Sequence, residues 1–167
     1  MSNLVRIGTQ NNSIEYRDRP TVKVIISKGG DVLILNNGLL PGGGIEPDET
    51  DFQAIERELA EELGASVENI SVIGEVVQYR DFLKRRYIVN GYSADLVAFD
   101  KEPNPQDERE AQLTASWHTI DAALELVTAS IQRYDDVEIV DDSQQGKLYN
   151  LQTTRELLRR FKLIQGA

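Results

Sequence analysis

Apolar residues along this chain follow two periods. Thr21 to Ser27 (TVKVIIS) and Val32 to Leu35 (VLIL) are runs rich in β-branched residues, which suit a pleated, largely buried surface. Lys28-Gly29-Gly30-Asp31 between them reads as a turn. Ile70 to Tyr79 and Tyr87 to Phe99 are again rich in Val, Ile and Tyr, and the short polar segment Arg80 to Arg86 joins them as an antiparallel pair. Leu113 to Trp117 reads as one more short strand. The other period is helical. Phe52, Ile55, Leu59 and Leu63 form one stripe that follows the capping box Thr50-Asp51-Phe52-Gln53 and stops near Gly64. Ile120, Leu124, Val127 and Ile131 predict a second helix, and Asp135 to Lys147 reads as loop. A further capping-box pattern, Thr153-Thr154-Arg155-Glu156, predicts a last helix with Leu157, Leu158, Phe161 and Ile164 on one face.

A chain of 167 residues fits one domain of ordinary size with one core. With no internal repeat or linker, the expectation is one domain over residues 1–167, in which 131–167 form a loop plus a C-terminal helix packed on the rest. Met1 to Pro20 contains neither the apolar run of a signal peptide nor a membrane span, so a cytoplasmic protein is expected. The absence of cysteine and the single histidine exclude a thiolate zinc site, a cysteine nucleophile and a multi-histidine metal site. Metal chemistry here must use oxygen ligands. A formal net charge of −10 with no long basic run argues against polymeric nucleic acid as a partner. A small phosphorylated molecule is compatible with it, because a bound divalent cation reverses the local field.

Two segments carry candidate chemistry. In Leu39-Leu40-Pro41-Gly42-Gly43-Gly44 the glycines let the backbone come close to a ligand. In the helix that follows, Glu58, Glu61 and Glu62 stand at i, i+3 and i+4, a strip roughly 100° wide beside the apolar stripe. Like charges at these spacings oppose helix formation by a few tenths of a kcal/mol per pair. A hard dication such as Mg²⁺ or Mn²⁺ reverses that balance and bridges carboxylates to substrate phosphates.

Gly43 to Ala65 reads G-GIEPD-E-TDFQAIE-R-E-L-A-E-E-L-G-A, which resembles the Nudix box, G-x5-E-x7-R-E-U-x-E-E-x-G-U, with only Ala65 smaller than the usual aliphatic residue. The strands around the box and Trp117 before a helix extend the resemblance to about residues 15–130. It implies a Nudix-like α/β/α sandwich with a mixed β-sheet, and a Mg²⁺-dependent attack of water on a nucleoside diphosphate linked to another moiety: a nucleoside triphosphate, a dinucleoside polyphosphate or a nucleotide sugar. Glu58, Glu61 and Glu62 match the family's metal-binding glutamates, with Glu58 and Glu62 the foremost ligands, and Gly42 lies where a carbonyl joins them. Arg57 and Glu49 match positions that orient those glutamates, and Gly43 and Gly64 are backbone positions. An acidic residue outside the box often serves such enzymes as ligand or general base; Glu110 is preferred here over Glu108 and Glu102. No proline lies between Gly64 and Glu102, which counts against ADP-ribose. Many relatives are homodimers. The alternative function is a catalytically silent Nudix-like sensing or regulatory module, a class that usually lacks box glutamates; all are present here.

Outside the resemblance, Arg80, Lys84, Arg85 and Arg86 beside Tyr79 and Tyr87 are candidates for phosphate contacts and a stacking surface. Trp117 is expected in the core, and His118 is assigned no role.

Overall fold

The computed structural model describes residues 4–166. Seven strands form one mixed sheet: β1 (Leu4–Ile7), β2 (Arg17–Lys28), β3 (Asp31–Leu35), β4 (Gly42–Gly44), β5 (Ala65–Arg80), β6 (Arg85–Phe99) and β7 (Ala115–Thr119). Their order is β1-β5-β6-β2-β3-β7, with β4 paired to β2. β1 runs parallel to β5 and β2 parallel to β6, while the remaining pairs are antiparallel. Four α-helices complete the fold: α1 (Asp51–Leu63), the single turn α2 (Glu108–Ala111), α3 (Ile120–Gln132) and α4 (Asp142–Gly166).

Alternation along β2 builds the two layers. Val22, Val24 and Ile26 project to one face and pack with Leu33, Ala54, Ile55 and Leu59 under α1. Ile25 projects to the other face and joins Val76, Val89, Val127, Leu157, Leu158 and Phe161 under α3 and α4. The expected α/β/α sandwich is what forms. β2 and β3 separate after Ser27 and Lys28, and β4 takes up the vacated edge of β2 at Thr21 to Lys23. The glycine-rich segment, read above as loop, is therefore partly a short strand, and this places its backbone against the sheet.

Three other expectations are corrected. The last helix begins at Asp142, so residues 142–147 are helical and Thr153 lies mid-helix. Instead of capping, the Thr153 hydroxyl donates to the Tyr149 carbonyl one turn back and accepts from Gln78 Nε2. β1, unforeseen in Met1 to Pro20, pairs its four residues with Glu75 to Gln78. Trp117 is 36% exposed, because β7 is an edge strand. It shares a face with its partner Leu33, yet α1 covers the sheet's centre and stops short of that edge.

Candidate active site

The site begins with how α1 is held. The Thr50 hydroxyl accepts from the Gln53 N–H and the Gln53 side chain accepts from the Thr50 N–H, closing the expected capping box. Asp51, in the first turn, accepts hydrogen bonds from Tyr92 and Asn90 of β6. At the other end Gly64 turns left-handed with φ 62°, and a Cβ there would run into the Lys101 carbonyl. The acidic loop after β6 then pairs with carbonyls left open by the helix end: Lys101 N–H donates to Gly64 O at 3.1 Å and Asn104 N–H to Glu61 O at 3.0 Å. Anchored this way, the loop delivers α2 beside α1, with Asp107 capping α2 through the Glu110 N–H.

That anchoring brings Glu110 to Glu58 and Glu61. One carboxylate oxygen from each of the three lies within 4.8 Å of the others. Glu58 is 7% exposed and Glu110 half-buried, whereas Glu102 and Glu108 point to solvent. Arg57 fixes the group. Its guanidinium donates to both oxygens of Glu49 at 2.8 and 2.9 Å, to Glu58 at 2.8 Å and to the Gly44 carbonyl at 2.9 Å, and it lies 3.5 Å from Glu61. Bidentate pairing makes this the kind of ion pair that defines geometry. Hydrogen bonds from Arg57 hold the Glu49 carboxyl down at about 2. Gly43 faces Glu58 so closely that a Cβ would strike its carboxylate, which explains glycine at that position.

Glu62 turns elsewhere. Its carboxylate accepts from the Gly42 N–H at 2.8 Å. Burial raises it to about 7 against the opposing pull of Lys23 and Gly42, with Glu58 and Glu110 adding like charge. Glu61 is raised as well, by burial and then by Glu58. Lys23, which the sequence reading passed over, donates to the carbonyls of Leu40 at 3.2 Å and Gly42 at 3.4 Å. Burial lowers its pKa, opposed by Glu62 and Glu58. A lone cation within the β-rich run TVKVIIS was the available signal. Carboxylates that raise one another's pKa are stabilised in their charged form by a cation, and an all-oxygen donor set suits a hard one.

Residues 17–137 match the family model for the NUDIX domain. The chain belongs to the NUDIX family. A NUDIX hydrolase from Nitrosomonas europaea superposes on it with a TM-score of 0.55 at 22% identity, covering 80% of this chain and 88% of that one. A MutT NUDIX hydrolase from Burkholderia pseudomallei gives 0.49 at 17% identity over 80% and 98% of the two chains. None of the curated proteins matches the chain in sequence. The NUDIX assignment supports a hydrolase; NUDIX enzymes generally use a divalent metal, and the acidic cluster is a candidate place for it. No described helix is long and apolar enough to cross a membrane.

The basic segment of this NUDIX chain does not gather into one surface. Tyr79 is buried and packs edge-on against Tyr16, with ring centroids 5.4 Å apart. Arg86, in register with Tyr79, is neutralised by Asp18 at 2.7 Å. Arg80 projects to the opposite face and lies 3.9 Å over the Tyr87 ring, while Arg85 and Lys84 are exposed. Of the two tyrosines read as a stacking surface, Tyr79 thus lies on the sheet face opposite Arg80, whereas Tyr87 lies beneath the Arg80 guanidinium.

Proposed function

We propose that the chain is a pyrophosphohydrolase that cleaves the phosphoric anhydride of a small nucleotide derivative, a nucleoside diphosphate joined to another moiety, with Mg²⁺ as its metal and Mn²⁺ able to replace it. The observation that carries this reading is the convergence of Glu58, Glu61 and Glu110 within 4.8 Å, from two helices separated in sequence. Their chemistry fits the ion: Mg²⁺ takes oxygen ligands, and it keeps coordination places for water and substrate phosphates when few carboxylates come from the protein.

Glu58 and Glu61, with Glu62 and the Gly42 carbonyl at the inner edge, would hold the cation, which supplies charge neutralisation at the phosphates and acidifies water. Glu110 lies on a surface turn, where its Oε2 accepts from the Gln106 N–H. Its other oxygen receives the proton of the attacking water. The water oxygen bonds to one phosphorus as the bridging P–O bond breaks, and the leaving phosphate oxygen departs with the electron pair. Arg57 keeps Glu58 oriented through these steps, and Gly43 lets the backbone lie against it.

The experiment is product release from nucleoside triphosphates, dinucleoside polyphosphates and nucleotide sugars, each with Mg²⁺ and with a chelator. Hydrolysis confined to the Mg²⁺ reactions, with a nucleotide monophosphate or diphosphate among the products, is expected. Inactivity across the panel despite retained nucleotide binding would contradict an enzyme and favour a sensing module.

A further inference from the structure

Lys23 stands where an apolar side chain would pack without cost. Its neighbours Val22, Val24, Ile25 and Ile26 are wholly buried, and placing a cation among them carries a desolvation penalty. Its ammonium reaches the segment that fills the vacated edge of β2. Nζ donates to the Leu40 carbonyl at 3.2 Å and to the Gly42 carbonyl at 3.4 Å. Burial works against its charge, and the carboxylates of Glu62 and Glu58 work for it. In return, Lys23 favours the charged form of Glu62.

Gly42 joins the two groups. Its N–H donates to Glu62 Oε1 at 2.8 Å while its carbonyl takes the ammonium. Pairing with Lys23 across the β2 and β4 ladder fixes that peptide. Its φ is 133° and an added Cβ would strike the Val22 carbonyl, so only glycine fits there. Two donors assigned above to the inner edge of the cation site, the Gly42 carbonyl and the Glu62 carboxylate, are thus already served by a positive charge of the chain itself. Either an ammonium or a dication satisfies such donors, but two cations sharing them repel each other strongly away from bulk water. Arg57 differs: Glu49 holds it at two nitrogens, and the carbonyl it binds is that of Gly44.

Resting on the function proposed above, we infer that Lys23 is a positioning residue that competes with the metal: its ammonium holds the Gly42 carbonyl and faces Glu62 in the metal-free chain, and it gives up that carbonyl when the cation binds. Lys23 keeps the inner edge assembled without metal and weakens metal binding at the same time. The site therefore fills at a higher cation concentration than its glutamates alone would set.

Mn²⁺ affinity, read by electron paramagnetic resonance, tests the competition, because the expected change has the opposite sign to damage. Lys23→Met should bind Mn²⁺ about 10-fold more tightly than wild type, and Lys23→Arg, which keeps the charge, should bind it as wild type does. Unchanged or weaker binding in folded Lys23→Met overturns the inference. Where Lys23→Met does not fold, the wild-type chain answers in its place. With lysine labelled by ¹⁵N, the Lys23 ammonium signal, assigned by its loss in Lys23→Arg, should show slow proton exchange without metal and fast exchange at saturating Mg²⁺. Exchange that stays slow overturns the competition and leaves the cation site standing. Absence of Mn²⁺ binding in wild type and in both variants would overturn the site and the proposed hydrolysis together with it.

Discussion

Helices α1 and α4 both turn polar side chains toward the rest of the molecule, yet they do so differently. In α1 the glutamates run beside an uninterrupted apolar stripe, so Ile55 and Leu59 bury the helix while Glu58 and Glu61 stay at its margin. In α4 polar and apolar groups are mixed along the inward face: residues 142 to 153 bring Gln145 and Thr153 inward together with Leu151, and further on Leu157, Leu158 and Phe161 complete the contact with the core. A helix can place its polar groups beside its anchor or within it. The first arrangement tolerates loss of a polar group, because packing holds the element; the second makes each inward polar group responsible for its neighbours' hydrogen bonds.

The largest expected effect lies on the α1 side. Glu58→Gln should lower kcat by about 10³-fold, several kcal/mol of lost charge stabilisation at the phosphates, while urea unfolding changes little. Arg57→Lys keeps the charge and loses the fork that grips Glu49 and Glu58, so metal affinity should fall about 10-fold to 100-fold; titration with Mn²⁺ reads this. On the α4 side, Thr153→Val should cost about 1 kcal/mol in urea denaturation by removing the shortest hydrogen bond of Gln78 Nε2, which keeps only the longer ones to Asn150 Oδ1 at 3.3 Å and the Tyr149 carbonyl at 3.5 Å. That outcome would sharpen the contrast, and an unchanged stability would erase it. The smallest effect concerns acid. Glu49 is held at about 2, below its ordinary value of 4.5. Its folded pKa being depressed, it stabilises the fold fully above pH 4.5 and loses that contribution as pH falls toward 2. Glu49→Gln should therefore lessen the dependence of melting temperature on pH within that window.

The same contrast decides what was readable beforehand. The capping box at Thr50, the stripe through Ile55 and Leu59 and the glutamate spacing are all local, and α1 forms where they place it. Glu110 was preferred over Glu102 and Glu108, but its position depends on Lys101 and Asn104 bonding to the end of α1, a tertiary event without a sequence period. In α4, residues 142–147 read as loop because their inward positions are polar, and Thr153-Thr154-Arg155-Glu156 imitated a helix start although both hydroxyls donate to carbonyls four residues back. Lys23 alternates with Val22 and Val24, so its strand was visible, while Arg19 fell outside the run read from Thr21; the missing step was that both share a face with Arg80, which only strand register reveals.

The central claim is that Glu58 and Glu61 hold one cation with Glu110 beside it, and Mn²⁺ binding followed by electron paramagnetic resonance tests it without assuming a substrate. The account predicts a bound-ion signal in wild type whose affinity falls at least about 10-fold in both Glu58→Gln and Glu61→Gln, with the exposed Glu108→Gln indistinguishable from wild type. Equal Mn²⁺ affinity in wild type, Glu58→Gln and Glu61→Gln would contradict it.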